Sequence, residues 1–218
     1  MLTPFQNRAL NALVESPFFR DFFEDCMRWV SRTSVRKGEL LFEKSQPSDA
    51  IFGLVSGQLK LYSDGVDGRQ ISFGLVGPGE LVGAIGIATG APRHASVVAL
   101  AHSELATLKR RDLEPLMARH PALREALAYA SAESARQLSE RIEDAAFLSI
   151  EARVEKALID FARRFGERIE GGICIQLRQQ DLADVLGLSR ESVSKVLTSK
   201  AMRKKVALGR GRIVLLGV

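Results

Sequence analysis

Hydrophobic spacing divides the chain into three textures. Over residues 5–31, apolar and aromatic side chains recur at helical intervals (Leu10, Leu13 and Val14, then Phe18, Phe22, Cys26 and Trp29). This predicts one or two short helices separated at Pro17, with the aromatics as core. From Val35 to Leu108 the pattern shortens into apolar runs cut by glycine. Leu40–Phe42, Ile51–Val55, Gln58–Tyr62, Gln70–Leu75, Glu80–Val82 and Ser96–Leu100 are separated by turn formers such as Ser45–Asp49, Ser63-Asp64-Gly65 and Gly77-Pro78-Gly79. Short strands at intervals of about 8–12 residues predict a small all-β sandwich or roll. Asp67-Gly68 predicts a hairpin turn.

Residues 110–148 contain no glycine. Pro121 suits the first turn of a helix, and a long one is predicted from there through Leu123, Leu127, Ser134, Leu138, Ile142 and Ala145. A helix of about 25 residues spans on the order of 37 Å, more than a small β-roll needs for cover. Leu127, Ser134, Leu138 and Ile142 are therefore the candidate seam of a dimer with coiled-coil character. A helix packed along its own domain is the alternative.

The sharpest local pattern runs from Leu177 to Leu197. A first helix, Gln179 to Leu186, buries Leu182, Val185 and Leu186, with small Ala183 where a second helix crosses. Gly187 supplies the left-handed backbone of a tight turn, and Ser189 caps the next helix. In that second helix Val193, Val196 and Leu197 face inward, leaving Arg190, Glu191, Ser194, Lys195 and Thr198 outside. This is a helix-turn-helix, which reads the major groove with the start of its second helix. Arginine can be bidentate to guanine, and glutamate accepts from cytosine N4. Arg190, Glu191, Ser194 and Lys195 are the candidate base readers, although Glu191 and Lys195 are also spaced for a surface ion pair. Val206–Leu216 reads as a hairpin turning at Gly209–Gly211, a wing beside the two helices. Candidate phosphate contacts are Arg178, Gln180 and Ser189 around the helices, and Arg210 and Arg212 on the wing.

Charge strengthens this reading. Residues 151–218 carry 14 Lys/Arg against 8 Asp/Glu, whereas residues 1–150 carry 17 against 18, so the basic excess belongs to the C-terminal third. No acid follows Glu191, while Lys195, Lys200, Arg203, Lys204, Lys205, Arg210 and Arg212 all do. A localised basic surface suits duplex DNA, where phosphate neutralisation releases counterions. No apolar run reaches the roughly 18 residues of a membrane span. The opening MLTPFQNRAL lacks a signal-peptide layout, so the cytoplasm is the expected compartment and no membrane partner is expected. Cys26 and Cys174 are too few and too distant for a disulfide framework or a cysteine-ligated metal. No Ser/His/Asp grouping, HExxH or GxxxxGK is present, and no enzyme is predicted. A sensor or interaction module without sequence-specific DNA binding is the competing class.

Further motifs join these in a recognisable order: Lys37-Gly38-Glu39 before a strand, Val55-Ser56-Gly57, the glycines Gly77, Gly79 and Gly83, Pro92-Arg93-His94-Ala95, and the Ser189-Arg190-Glu191 helix start. Together they resemble the cyclic-AMP receptor protein and fumarate–nitrate regulator (Crp/Fnr) family, from about Ser16 onward. The resemblance implies an α+β fold with a cyclic-nucleotide-binding-type β-roll sensor over residues 1–120. It further implies a dimerisation helix over 121–148 and a winged helix-turn-helix over 149–218. It implies a homodimeric transcription regulator on a palindromic operator, with RNA polymerase as a further partner. Residues matching Arg190, Glu191 and Lys195 read a TGTGA-like half-site in the family, and Lys195 stands where arginine is usual.

The same resemblance places an effector pocket at Gly83, Ala84, Arg93, His94 and Ser139, and here the chain departs from the cyclic-AMP-binding pattern. Ala84 replaces the glutamate that holds the ribose hydroxyl, Arg93-His94 replaces an Arg-Ser pair, and Leu138 replaces a hydroxyl near the base. A cyclic nucleotide remains a candidate effector with a degraded pocket motif. Two cysteines do not make an iron–sulfur site, and His94, His102 and His120 are not expected to ligate haem.

Overall fold

The computed structural model describes residues 29–65 and 70–217. The chain divides into two compact units at Gln137/Leu138, within one helix.

The first unit holds β1 (Ser31–Val35), β2 (Leu40–Phe42), β3 (Ala50–Ser56), β4 (Leu59–Asp64), β5 (Gln70–Val76), β6 (Leu81–Val82), α1 (Ala84–Thr89), β7 (Ser96–Ala99), β8 (Ser103–Lys109), α2 (Arg110–Arg119) and the start of α3 (Ala122–Phe147). Two four-stranded sheets form, in the orders β1-β8-β3-β6 and β2-β7-β4-β5. The pairs β1–β8, β2–β7, β3–β6, β3–β8 and β4–β7 are antiparallel. Strand β3 explains the layering. Ala50, Phe52 and Leu54 pack with Leu59, Val97 and Leu105 between the sheets. The alternate residues Ile51 and Val55 pack with Ile87, Leu113, Leu116, Leu123 and Leu127 from the helices. A strand buried on both faces needs a continuous apolar run, which is what Ala50–Val55 provides.

Six predicted strands are present, with Gln58, Glu80 and Leu100 outside the observed ends. Two more, β1 and β8, were not anticipated, nor was α1. Strand β8 was hidden by its polar letters. Ser103 is fully buried because its hydroxyl serves the backbone, accepting from Gln58 N at 3.2 Å and donating to Ala101 O at 3.0 Å. Trp29, expected as helical core, stands in a turn with 48% of its surface exposed. The pairing of Ser31 with Thr107 makes this stretch a sheet edge instead. The other residues of that apolar set, and Asp67-Gly68, lie outside the described residues.

Helix α3 has two characters. Leu123 and Leu127 are 0% and 2% exposed in the first unit's core. Leu127 is therefore corrected from seam residue to core residue: it belongs to the buried cluster of Leu108, Leu113 and Leu116. Further along, Tyr129, Leu138, Ile142 and Phe147 are exposed.

The second unit continues from Leu138 through α4 (Ile150–Phe165), β9 (Glu167–Ile169), β10 (Gly172–Ile175), α5 (Gln179–Leu186), α6 (Arg190–Leu197), a 3₁₀ turn at Met202–Lys204, β11 (Val206–Gly209) and β12 (Arg212–Leu216). Ser149 caps α4 by accepting from Ala152 N at 3.2 Å. Helix α4 buries Val154, Leu158, Phe161 and Ala162, one stripe at helical spacing. The sheet order is β11-β12-β10-β9, so the predicted wing hairpin is the edge of a larger sheet.

Leu127→Ala should remove buried methyl groups from an intramolecular core and cost about 2–5 kcal/mol. Urea unfolding should show this loss with no change in oligomeric state by sedimentation. A changed oligomeric state would return Leu127 to the seam.

Candidate nucleic-acid interface and effector cradle

Helices α5 and α6 cross over a shared core. Leu182, Ala183, Val193 and Leu197 are each 0% exposed, and Val185 and Val196 are nearly so; Leu186 is half-buried. Gly187 sits at φ 62° and donates to Ala183 O and Asp184 O, which ends α5 with a left-handed residue that a Cβ would strain. Arg153 of α4 donates to Leu186 O, placing a cation at the C-terminal end of α5. Ser189 Oγ accepts from Ser192 N at 3.1 Å, so α6 starts where the sequence placed it.

With one face of α6 locked, the opposite face is turned out. Arg190, Glu191, Lys195 and Thr198 are exposed and Ser194 is half-buried. Among the described residues, Arg190, Glu191 and Lys195 make no ion pair, so the alternative of a Glu191–Lys195 surface bridge is not realised.

The start of α6 borders a cleft of about 450 Å³ whose other walls are the start of α5 and the wing. Arg178, Gln180, Arg190 and Arg212 line it, with Gly209 and Gly211 beside them. Three predicted phosphate residues and one predicted base reader thus come together. Arg210 is exposed at the turn joining β11 to β12, and the Ser189 hydroxyl is engaged in its cap. Gln180 Nε2 donates to Asp184 Oδ1 at 2.7 Å. Arg178 holds the bidentate partner that sequence reasoning missed. Its Nε and Nη2 each lie 2.7 Å from the carboxylate of Asp181, whose side chain is 3% exposed. Hydrogen bonding and charge from Asp181 raise the arginine's pKa above its ordinary value. The Arg-x-x-Asp spacing was the available signal.

The expected effector residues are divided. Gly83, at φ 87°, precedes α1, and a Cβ there would run into the Arg93 guanidinium. Ala84 is buried, its methyl unable to accept a hydrogen bond. Arg93 is 4% exposed and turned inward. Its Nη2 donates to Ala50 O at 2.8 Å and lies 3.3 Å from Asp49 Oδ1. Nη1 donates to Gly83 O at 3.4 Å. The guanidinium carbon lies 4.2 Å from the centre of the Phe42 ring, a cation–π contact. Burial lowers the Arg93 pKa from its ordinary value, partly offset by Asp49. His94 is surface-exposed yet packs one side against Phe73, with ring centroids 6.2 Å apart. Partial desolvation and then the Arg93 charge lower its pKa. Ser139 is on the second-unit part of α3.

Among the described residues no group of three or more His, Cys, Asp or Glu side chains could hold a metal, and no helix is long and apolar enough to cross a membrane. Cys174 is a buried free thiol in β10.

Residues 32–120 match the model of the cyclic nucleotide-binding domain, and residues 152–217 that of the Crp-like helix-turn-helix domain. The cyclic AMP receptor protein of Thermus thermophilus is 30% identical over 188 residues, covering 86% of this chain and 84% of its own. The chain belongs to the Crp/Fnr family. A CRP-like cAMP-activated global transcriptional regulator of Mycobacterium tuberculosis is 29% identical over 182 residues, covering 83% of this chain and 81% of its own. The fold is shared with FixK2 of Bradyrhizobium japonicum at a TM-score of 0.76 and 23% identity, covering 85% of this chain and 92% of that one. This Crp/Fnr protein is accordingly an α+β, DNA-binding transcription regulator. Its helix-turn-helix match takes in α5, α6 and both wing strands, and its cyclic nucleotide-binding match takes in the Arg93 cradle.

Arg93→Met should strand the Ala50 carbonyl and lower stability by about 1–3 kcal/mol, read as a fall in melting temperature. Arg93→Lys should not restore it, because an ammonium lacks the planar fork. An unchanged melting temperature in Arg93→Met would show that the guanidinium does not brace the roll.

Proposed function

We propose that this chain is a homodimeric regulator that reads a two-fold, TGTGA-like operator with Arg190, Glu191, Ser194 and Lys195. The observation that carries the proposal is the exposed, unpaired charge at the start of α6, beside a cleft holding Arg178, Arg190 and Arg212. Arginine and glutamate at a capped helix start match the donor and acceptor demands of G·C edges. Arg178, Gln180, Arg210 and Arg212 meet phosphates and set register without reading sequence. Ser189 positions α6 through its cap and offers its backbone to a phosphate. Lys195 contributes a point charge in place of a forked contact, so its base pair is read less stringently.

The dimer seam uses the exposed part of α3, with Ser134, Leu138 and Ile142 at intervals of four and Leu127 excluded. Three exposed apolar residues, Leu138, Ile142 and Phe147, support this assignment. In a dimer of this kind the recognition helices fall one duplex turn apart, about 34 Å. The regulator acts in the cytoplasm with RNA polymerase as its further partner, in keeping with its family.

The β-roll is the sensor. Two relatives carry cyclic AMP in their names, which favours a cyclic nucleotide. An anionic effector entering the Arg93 cradle would exchange the bonds to Ala50, Gly83 and Asp49 for its own, and Ala84 offers no acceptor for a ribose hydroxyl.

Arg190→Ala or Glu191→Ala should relax base preference at one position per half-site by about 1–3 kcal/mol. Arg210→Ala should weaken binding to every duplex alike and reduce the log–log salt slope by about one. Identical behaviour of Arg190→Ala and Arg210→Ala across operator variants would favour a sensor module without sequence-specific binding. Separately, Ile142→Asp should yield a monomer by analytical ultracentrifugation and abolish two-fold operator binding; a persisting dimer would move the seam elsewhere.

A further inference from the structure

Asp181 is a buried acid in the most basic part of the chain. It occupies the first turn of α5, and its side chain is 3% exposed. Taking a carboxylate out of water is costly unless it is paired with good geometry. Arg178 Nε and Nη2, both at 2.7 Å, are its only partners among the described residues. The pair does not substitute for a helix cap: Arg178 occupies the N-cap position of α5, and no side-chain cap bond is made there. The arginine itself is 56% exposed and lines the cleft with Arg190 and Arg212. One edge of its guanidinium is thus fixed by a forked, charge-assisted contact. Nη1 and the second N–H of Nη2 remain for a ligand.

We propose that Asp181 is a positioning residue for DNA: it holds Arg178 against the start of α5 so that the remaining guanidinium edge meets a backbone phosphate in the cleft beside Arg190. The inference rests on the proposed function and deepens it. An arginine ordered in advance loses less freedom when a phosphate arrives. A phosphate held in that cleft fixes the register of α6 over the bases, because Arg190 borders the same space.

Simple charge counting makes the opposite forecast. Asp181 is an anion close to where a phosphate would lie, so removing its charge should tighten binding to any duplex. The sign of the effect therefore separates positioning from net charge. A purely structural role is separated by asking whether the effect depends on Arg178.

The test uses the full chain and a duplex that the wild-type protein itself selects from a random pool, with a scrambled duplex of equal length alongside. Affinities are read by fluorescence anisotropy, and folding is checked by thermal melting. Asp181→Asn should weaken binding to the selected duplex by about tenfold, the loss expected for one charge-assisted contact, without weakening binding to the scrambled one. Arg178→Met, which approaches the pair from its exposed side, should weaken the selected duplex to a similar degree. In the Arg178→Met background, Asp181→Asn should add less than about twofold. Asp181→Glu should recover part of the affinity. Tighter binding by Asp181→Asn, wild-type binding by Arg178→Met, or an undiminished Asp181→Asn effect without Arg178 would each overturn the proposal. Should the wild-type protein select no preferred duplex at all, the operator reading falls and takes this one with it; a clear selected site with an additive cycle removes the Asp181 role alone.

Discussion

A helix can present charges to a groove reproducibly only when its opposite face is immobile. In this protein that constraint is met by the crossing of α5 and α6, where Leu182 and Ala183 meet Val193 and Leu197 with no solvent between them. Ala183 is small and fully buried at this crossing, and a larger side chain there would have to displace its neighbours. Gly187 makes the turn, Ser189 starts the next helix, and Arg153 anchors the end of α5 from α4. The exposed Arg190, Glu191 and Lys195 inherit their positions from this buried set. The wing sheet completes the frame, since β12 sends Ile213 and Leu215 inward and leaves Arg212 at the cleft.

The first unit uses arginine differently. Arg93 is a cation held inside a β-roll by carbonyls, one carboxylate and an aromatic face, with Nε buried and unpartnered among the described residues. Such a group braces the roll at a cost in desolvation, and any anion reaching the cradle competes with the protein's own acceptors. Helix α3 serves two purposes along its length. Its opening turns complete the first unit's core through Leu123 and Leu127, and its later turns leave Leu138, Ile142 and Phe147 uncovered.

What could be read from the sequence was what is decided locally. The bounds of α5 and α6 follow from a glycine and a serine cap, and the wing follows from its Gly-Arg-Gly turn, because each signal acts within a few residues. Strands β8 and β10 depend on distant partners. Thr107 pairs with Ser31 and with Phe52, and Ile175 pairs with Ile213, so no signal within a few residues marked either strand. The inward turn of Arg93 was equally illegible, since Ala50, Asp49 and Phe42 lie far away in the chain. Asp181 is the intermediate case. Its spacing from Arg178 was visible, but an exposed surface pair and a buried one have the same spacing, and only burial gives the carboxylate its significance.

The most direct measurement is selection of duplexes from a random pool by the full-length protein, followed by footprinting of the selected site. The proposed dimer, with two locked recognition helices, should return a two-fold sequence with half-sites about 10 base pairs apart and protection centred on both. Recovery of no common sequence, with uniform protection along every duplex, would contradict the account.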